Sequence, residues 1–398
     1  MAAETGNGMR CHGVDKRYSQ GHYFSAKSFI DFHGVYSRDC SGGALCNRCA
    51  VTRLKPFPGK VKHGSDLQSV LKASARPRSD WLDLSAAVSP YSWWDERRQL
   101  IQFPADVHHH LPESSSETSL FLQQAINDYY RASKGFESLA VAGTQAAIRN
   151  LPQCFEISSV WTVAGSYGEH ALAWRQHGHA VTELPLQEIR HRLSEGQAPD
   201  VLVIVNPDNP SGVVVPSEEL KRWTAVLSRH GGMLVCDEAF MDVTPDDSLL
   251  RCDFADNQIV LRSLGKFFGL AGLRFGTVFG ASEVIQQLDA CMGPWTVSTY
   301  VALVAAHALQ DRDWQEEQRV RLASCSRLFE ASLPESFDLV GATSLFVTVK
   351  PDNAVLLQRY LAEHYIWSRC FEQQNFIRFG LPREADLDRV RAALQGYR

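Results

Sequence analysis

An α/β fold is expected for this chain: a large domain with a mostly parallel sheet sandwiched by helices, followed by a smaller α+β domain. Three observations predict it. Short apolar runs rich in β-branched residues recur at 160–163, 201–205, 233–236 and 259–262. They lack the polar alternation of a half-exposed sheet, as strands covered on both faces do. Helical patterns separate these runs, which argues for right-handed crossovers in an open sheet. Finally, 398 residues leave room for a second, smaller domain, and after Ser298 the pattern changes to long helices and then a strand–helix–strand series.

Taken in order, residues 1–60 carry Gly, Ser, Arg and Cys with little periodicity and are expected to be a poorly ordered extension. Lys55-Pro56-Phe57-Pro58-Gly59 would break any regular element and marks the boundary. We expect an arm and small-domain segment over 61–104, the large domain over 105–295 and the small domain over 296–398. Leu139-Ala140-Val141 is a short apolar run leading through Gly143-Thr144-Gln145 into a helical stretch. Helices are expected from 169 to 177, closed by Gly178, and from 217 to 230, closed by Gly231. Ser217 followed by Glu218 and Glu219 makes a helix start with acidic side chains at the positive end of the dipole. Val301, Val304, Ala305, Ala308 and Leu309 follow helical spacing, and a charged helix is expected from Trp314 towards Leu333. A strand at 345–349, a helix near 354–364, a strand at 376–381 and a final helix complete the small domain. Internal repeats are not evident.

Composition narrows the function. Apolar residues at 44% and charged residues at 21% suit a globular enzyme. A net charge of −5 gives no reason to expect nucleic acid or an anionic membrane as partner. No apolar run reaches the roughly 18–20 residues that span a bilayer, and residues 1–16 lack the apolar core of a secretory signal. A cytoplasmic location is therefore expected. Of ten cysteines, Cys154, Cys236, Cys252, Cys291, Cys325 and Cys370 lie in or beside apolar segments, where a free thiol acts as a small hydrophobe. Cys46 and Cys49 form a CxxC pair that with Cys40 and Cys11 could offer four thiolates to zinc. No second CxxC accompanies it, and a reduced extension without metal is the expectation.

Lys266 carries the chemistry. It stands in Arg262-Ser263-Leu264-Gly265-Lys266, with Arg274 eight residues on. A hydroxyl, an amine and a guanidinium so spaced can hold a phosphate while the amine reaches a nearby aldehyde, as pyridoxal 5′-phosphate (PLP) requires when it binds lysine as a Schiff base. Asp237, at the end of an apolar strand, can pair with the ring nitrogen and keep it protonated. Gly143, Thr144 and Gln145 at a helix start, with Ser263 and Arg274, can cup the phosphate. Tyr167 can stack on the ring, and Asn209, in Asn206-Pro207-Asp208-Asn209-Pro210-Ser211-Gly212, can donate to its phenolic oxygen. Asn-Pro and Ser-Gly also mark ordinary turns. Lys266, Asp237 and Tyr167 are the expected catalytic residues.

These residues, in this order, resemble the fold-type I PLP-dependent transferases. The likeness points to their histidinol-phosphate aminotransferase branch and, within it, to the threonine-phosphate decarboxylase family of cobalamin biosynthesis. It covers roughly residues 63–396 and includes His63-Gly64, Asp83-Leu84-Ser85, Ala142-Gly143-Thr144-Gln145, Tyr167-Gly168-Glu169-His170, Asp237-Glu238-Ala239-Phe240, the stretch from Leu261 to Phe268, Gly293-Pro294-Trp295, and Arg378-Phe379-Gly380-Leu381-Pro382. The resemblance implies decarboxylation of L-threonine O-3-phosphate to (R)-1-amino-2-propanol phosphate, with a histidinol-phosphate-type aminotransferase as the alternative. It implies that Arg378 receives the substrate α-carboxylate, that His63 helps bind the substrate phosphate, and that the protein is a homodimer with active sites at the interface. Two departures stand out. Related aminotransferases usually carry tyrosine where this chain has Phe240, and Ala86-Ala87-Val88-Ser89-Pro90 replaces a stretch that often holds asparagines.

Overall fold

The computed structural model describes residues 67–74 and 76–397. The extension with Cys11, Cys40, Cys46 and Cys49, the boundary at 55–59, and His63 lie outside the described residues. In chain order the strands are β1 (Leu82–Asp83), β2 (Glu137–Val141), β3 (Ser159–Val163), β4 (Ala180–Leu184), β5 (Val201–Val205), β6 (Met233–Asp237), β7 (Gln258–Ser263) and β8 (Gly276–Gly280). There follow β9 (Asp338–Thr343), β10 (Phe346–Lys350), β11 (Ile366–Trp367), β12 (Arg369–Phe371) and β13 (Phe376–Gly380). The helices that matter below are α1 (Leu67–Ala73), α2 (Trp93–Arg97), α3 (Glu117–Tyr130), α4 (Thr144–Asn150), α5 (Glu169–Gln176), α6 (Leu186–Ser194) and α7 (Ser217–Ser228). After them come α8 (Ser282–Met292), α9 (Thr299–Gln310), α10 (Arg312–Glu330), α11 (Ala354–Glu363) and α12 (Leu387–Gly396).

The four apolar runs read from the sequence are strands lying side by side. In a seven-stranded sheet of order β2-β8-β7-β6-β5-β3-β4, the run from β7 to β4 is parallel throughout. Their largely apolar character has a direct cause. Side chains alternate faces along a strand, and both faces are buried: Leu202, Ile204, Leu234, Cys236 and Val260 point into one core. Val201, Val203, Val235, Ile259 and Leu261 point into the other. Helices α3, α6, α7, α9 and α10 supply apolar residues to the first core, and α4, α5 and α8 to the second.

Some elements differ from expectation. β8, whose Gly-Thr-Val-Phe-Gly sequence gives a weak strand signal, pairs antiparallel with both β2 and β7 and makes the sheet mixed. Helix α7 ends at Ser228, and Pro216 holds the cap position with no side-chain cap, so Ser217 is the first helical residue and does not cap it. Helix α10 begins two residues early because Asp311 Oδ1 caps it, accepting from the Trp314 N–H at 3.2 Å. The strand expected at 345–349 runs one residue later.

The later strands form a four-stranded antiparallel sheet, β12-β13-β10-β9. It is tied to the loops at the carboxyl edge of the large sheet. Thr348 Oγ1 donates to Pro210 O at 2.5 Å, and residues 84–93 form a strap: Gly380 N donates to Leu84 O at 2.7 Å, Ser89 N to Lys266 O at 2.9 Å and Trp93 N to Phe268 O at 2.9 Å. Gln318 Nε2 on α10 donates to Ser89 Oγ at 2.6 Å and fixes the strap's middle. Among the described residues no helix is long and apolar enough to cross a membrane.

Candidate active site

Strand β7 ends at Ser263, and the chain turns through Leu264-Gly265-Lys266. Leu264, Phe267 and Phe268 are fully buried on either side, so the turn is pinned and the lysine is held between anchored neighbours. Gly269 has φ +65°, and a Cβ there would meet Tyr91 O at 2.5 Å, so only glycine lets the strap close over the lysine turn. Lys266 is half-buried, with Nζ 5.4 Å from the centroid of the Phe240 ring. Burial pulls its pKa down to about 8, the Arg378 charge adds to the drop, and Asp237 opposes it.

Asp237 closes β6 at the same edge and is buried. Its Oδ2 lies 2.9 Å from His170 Nε2, and its Oδ1 accepts from the Ala239 N–H at 3.1 Å. His170, also buried, comes from the first turn of α5. The sequence contains it in a motif, yet nothing in its spacing shows that it meets an aspartate 67 residues away.

Tyr167 stands before α5 and donates its hydroxyl to Gln145 Oε1 at 3.1 Å. Gln145 Nε2 donates in turn to Glu169 Oε2 at 2.6 Å, and Arg149 pairs with the same oxygen at 2.8 Å. Burial and the nearby Asp237 and Glu169 carboxylates push the Tyr167 phenol up to about 12, so it keeps its proton at neutral pH. Gln145 thus has a side-chain task, orienting Tyr167, besides its place at a helix start.

The remaining cup residues converge. Gly143 has φ +79°, and a Cβ there would lie 2.7 Å from Arg274 Nη2. Gly276, paired with Ser263 across β7 and β8, comes so close that its Cβ would meet Thr144 N at 2.9 Å. Gly143, Thr144, Ser263 and Arg274 therefore surround one space at the start of α4. Asn209 and Arg378 meet as well. An Arg378 Nη1 hydrogen bond fixes the Asn209 amide, because a guanidinium only donates and so must face Oδ1. The Asn209 NH2 is left to donate elsewhere. Arg378 Nη2 donates to Ser85 O at 2.8 Å, and among the described residues its buried Nε has no hydrogen-bond partner.

Arg369 was not evident from spacing. It is the cross-strand partner of Arg378 in β12 and β13. Burial and the Arg369 charge together push the Arg378 pKa down, to about 9. Two guanidinium-bearing residues therefore stand opposite each other across β12 and β13, and guanidinium groups suit the recognition of carboxylate and phosphate. Behind the lysine turn, fully buried Arg262 donates from Nη1 to Glu238 Oε2 at 2.9 Å and from Nη2 to Asp242.

Residues 109–394 match the protein family described as Aminotransferase class I and II. The chain belongs to that family. Within it, the chain is 41% identical to a threonine-phosphate decarboxylase of Pseudomonas aeruginosa, an alignment covering 85% of this chain and 98% of that protein. It is 33% identical to a threonine-phosphate decarboxylase of Sinorhizobium sp, covering 83% of this chain and 96% of the relative. Among solved structures, the histidinol-phosphate aminotransferase of Sinorhizobium meliloti in complex with pyridoxal-5′-phosphate superposes with a TM-score of 0.70 at 20% identity, over 87% of this chain and 97% of that one. That likeness is one of fold. The donor set of this chain suits PLP: a cradle where a glycine Cβ would collide with a guanidinium, a hydroxyl at Ser263, an amide NH2 at Asn209, a carboxylate at Asp237 and an amine of lowered pKa at Lys266.

Proposed function

We propose that this protein decarboxylates L-threonine O-3-phosphate to (R)-1-amino-2-propanol phosphate and carbon dioxide, with PLP as cofactor, in cobalamin biosynthesis. The observation that carries this reading is the 41% identity to the Pseudomonas aeruginosa threonine-phosphate decarboxylase across 98% of that protein. Bound PLP supplies an aldehyde for the substrate amine and a protonated heterocycle that accepts the electron pair left when a bond at Cα breaks.

The chain's own residues do the rest. Gly143, Thr144, Gln145, Ser263 and Arg274 would hold the cofactor phosphate, Asp237 its ring nitrogen, Asn209 its phenolic oxygen and Tyr167 its ring face. Lys266 would hold its aldehyde carbon. Because its pKa is near 8, a usable fraction of Nζ is unprotonated at neutral pH and able to attack a carbonyl. The same amine would be the group that carries a proton to Cα of the substrate. Arg378 takes the substrate carboxylate through its fork, and Arg369, directly across the strands, provides the second positive charge for the substrate phosphate. Anchoring both ends of a small substrate sets which Cα bond lies in line to break, a positioning effect worth several kcal/mol.

A cytoplasmic homodimer acting on a small phosphorylated amino acid, with neither nucleic acid nor membrane as partner, is the setting proposed. The deciding assay mixes protein, PLP and threonine phosphate without any 2-oxo acid and measures carbon dioxide and aminopropanol phosphate. Release of both is expected, and Lys266→Ala should abolish it. Amino-group transfer that needs a 2-oxo acid and frees no carbon dioxide would make the protein an aminotransferase instead.

A further inference from the structure

Cys154 and Cys291 are 137 residues apart in the chain, yet their sulfurs lie 3.9 Å apart. Cys154 is half-buried at the end of the 3-10 turn Leu151–Cys154, which continues directly from α4. Cys291 is exposed in the last turn of α8. The other described cysteines are different: Cys236, Cys252 and Cys325 are buried and Cys370 is half-buried. Among the described residues no second pair of sulfurs is in contact.

We propose that Cys154 and Cys291 form a reversible intramolecular disulfide when the protein meets a peroxide, tying the helix that starts at Gly143-Thr144-Gln145 to α8. Both sulfurs sit at the ends of their elements, where the last turn gives way most easily. Closing the gap to the roughly 2.05 Å of a disulfide needs an approach of about 2 Å, within reach of side-chain rotation and a small shift of a terminal turn.

Exposure makes Cys291 the first nucleophile. Its thiolate attacks one peroxide oxygen, the O–O bond breaks, and a sulfenic acid and hydroxide result. Burial, then the neighbouring Cys291, pushes the Cys154 thiol up to about 12, which leaves it a poor first attacker. Held beside the sulfenic acid, Cys154 then attacks the Cys291 sulfur. The S–O bond breaks, hydroxide leaves, and the protons released by the two thiols convert both hydroxides to water. Two thiols and one hydrogen peroxide thus give one disulfide and two waters.

The test treats the full-length holoenzyme with hydrogen peroxide, blocks remaining thiols with iodoacetamide, digests the protein and maps the peptides by mass spectrometry. The expected result is a linked pair joining Cys154 to Cys291, lighter by two hydrogens than the two thiol peptides. It should migrate as a single chain without reductant and separate on adding dithiothreitol. Cys291→Ser should abolish the link, leave Cys154 alkylated, and retain full decarboxylase activity under reducing conditions. Separate alkylation of both cysteines, over-oxidised Cys291 beside alkylated Cys154, or a link from either to another cysteine or another chain would each overturn the proposal.

Discussion

A lysine amine normally stays charged well above neutral pH, because water stabilises the ammonium and protein interiors do not. Lys266 faces the phenyl ring of Phe240, not a hydroxyl, and the weak attraction of a ring face for a cation does not offset its burial or the Arg378 charge. The sign is clear: its pKa is lowered, so the reactive neutral amine becomes abundant above about pH 8. Capture of PLP by the apoprotein, followed by visible absorbance in a stopped-flow instrument, should therefore accelerate as pH rises and level off above that value. A profile still climbing steadily towards pH 10 would show an ordinary lysine. Arg378 makes a second residue-scale case. Lysine at that position keeps a charge but loses the planar fork, so Arg378→Lys should raise the KM for threonine phosphate by roughly 10- to 100-fold, the cost of one or two charged hydrogen bonds. Steady-state kinetics would show it, with the smaller change in kcat.

Helix α4 starts where it does because the chain makes a left-handed step at Gly143, and that step brings the helix start under Arg274. Alanine there would combine an unfavourable φ with a 2.7 Å approach to the Arg274 guanidinium. Arg274 is exposed and its side-chain end can give way, so the fold should survive while the cup widens. Gly143→Ala should weaken PLP binding by roughly 5- to 150-fold, as strain of about 1–3 kcal/mol implies, and quenching of intrinsic fluorescence by added PLP would measure it. The element behind the lysine turn behaves differently. Arg262 sits, fully buried, between the equally buried Glu238 and Asp242, and its guanidinium is 4.9 Å from the Tyr130 ring centroid. Arg262→Leu would leave two carboxylates buried without their counter-charge and should destabilise the protein by about 3–5 kcal/mol. Urea unfolding monitored by circular dichroism is the check.

At the scale of the whole molecule, the proposed homodimer predicts a light-scattering mass of twice 44.5 kDa during size exclusion, and a monomer at micromolar concentration would remove that part of the proposal. The sheet shows what could be read beforehand. β3, β5, β6 and β7 were legible because strands buried on both faces are built mainly from apolar side chains, without polar alternation. β8 was not: its flanking glycines serve close approaches to Arg262, Thr144 and Gln258, contacts that exist only after the sheet has formed.

The same division runs through the site. Asp237 and Ser263 lie at the strand ends where the sequence placed them, with Lys266 and Arg274 in the turns that follow, because local sequence determines local backbone. The pairings of His170 with Asp237, Asn209 with Arg378, Arg378 with the Ser85 carbonyl and Arg369 with Arg378 became visible only in three dimensions. In the Ser85 contact the acceptor is a main-chain carbonyl, which every residue has, so the unusual Ala86-Ala87-Val88 that follows gave no guide to it. The amino-acid sequence by itself determined the buried parallel strands β3, β5, β6 and β7, and the chemistry that the residue types after them can perform. The tertiary structure alone decided which side chains share charge and hydrogen bonds, because those energies depend on distances that folding sets between segments far apart in the chain.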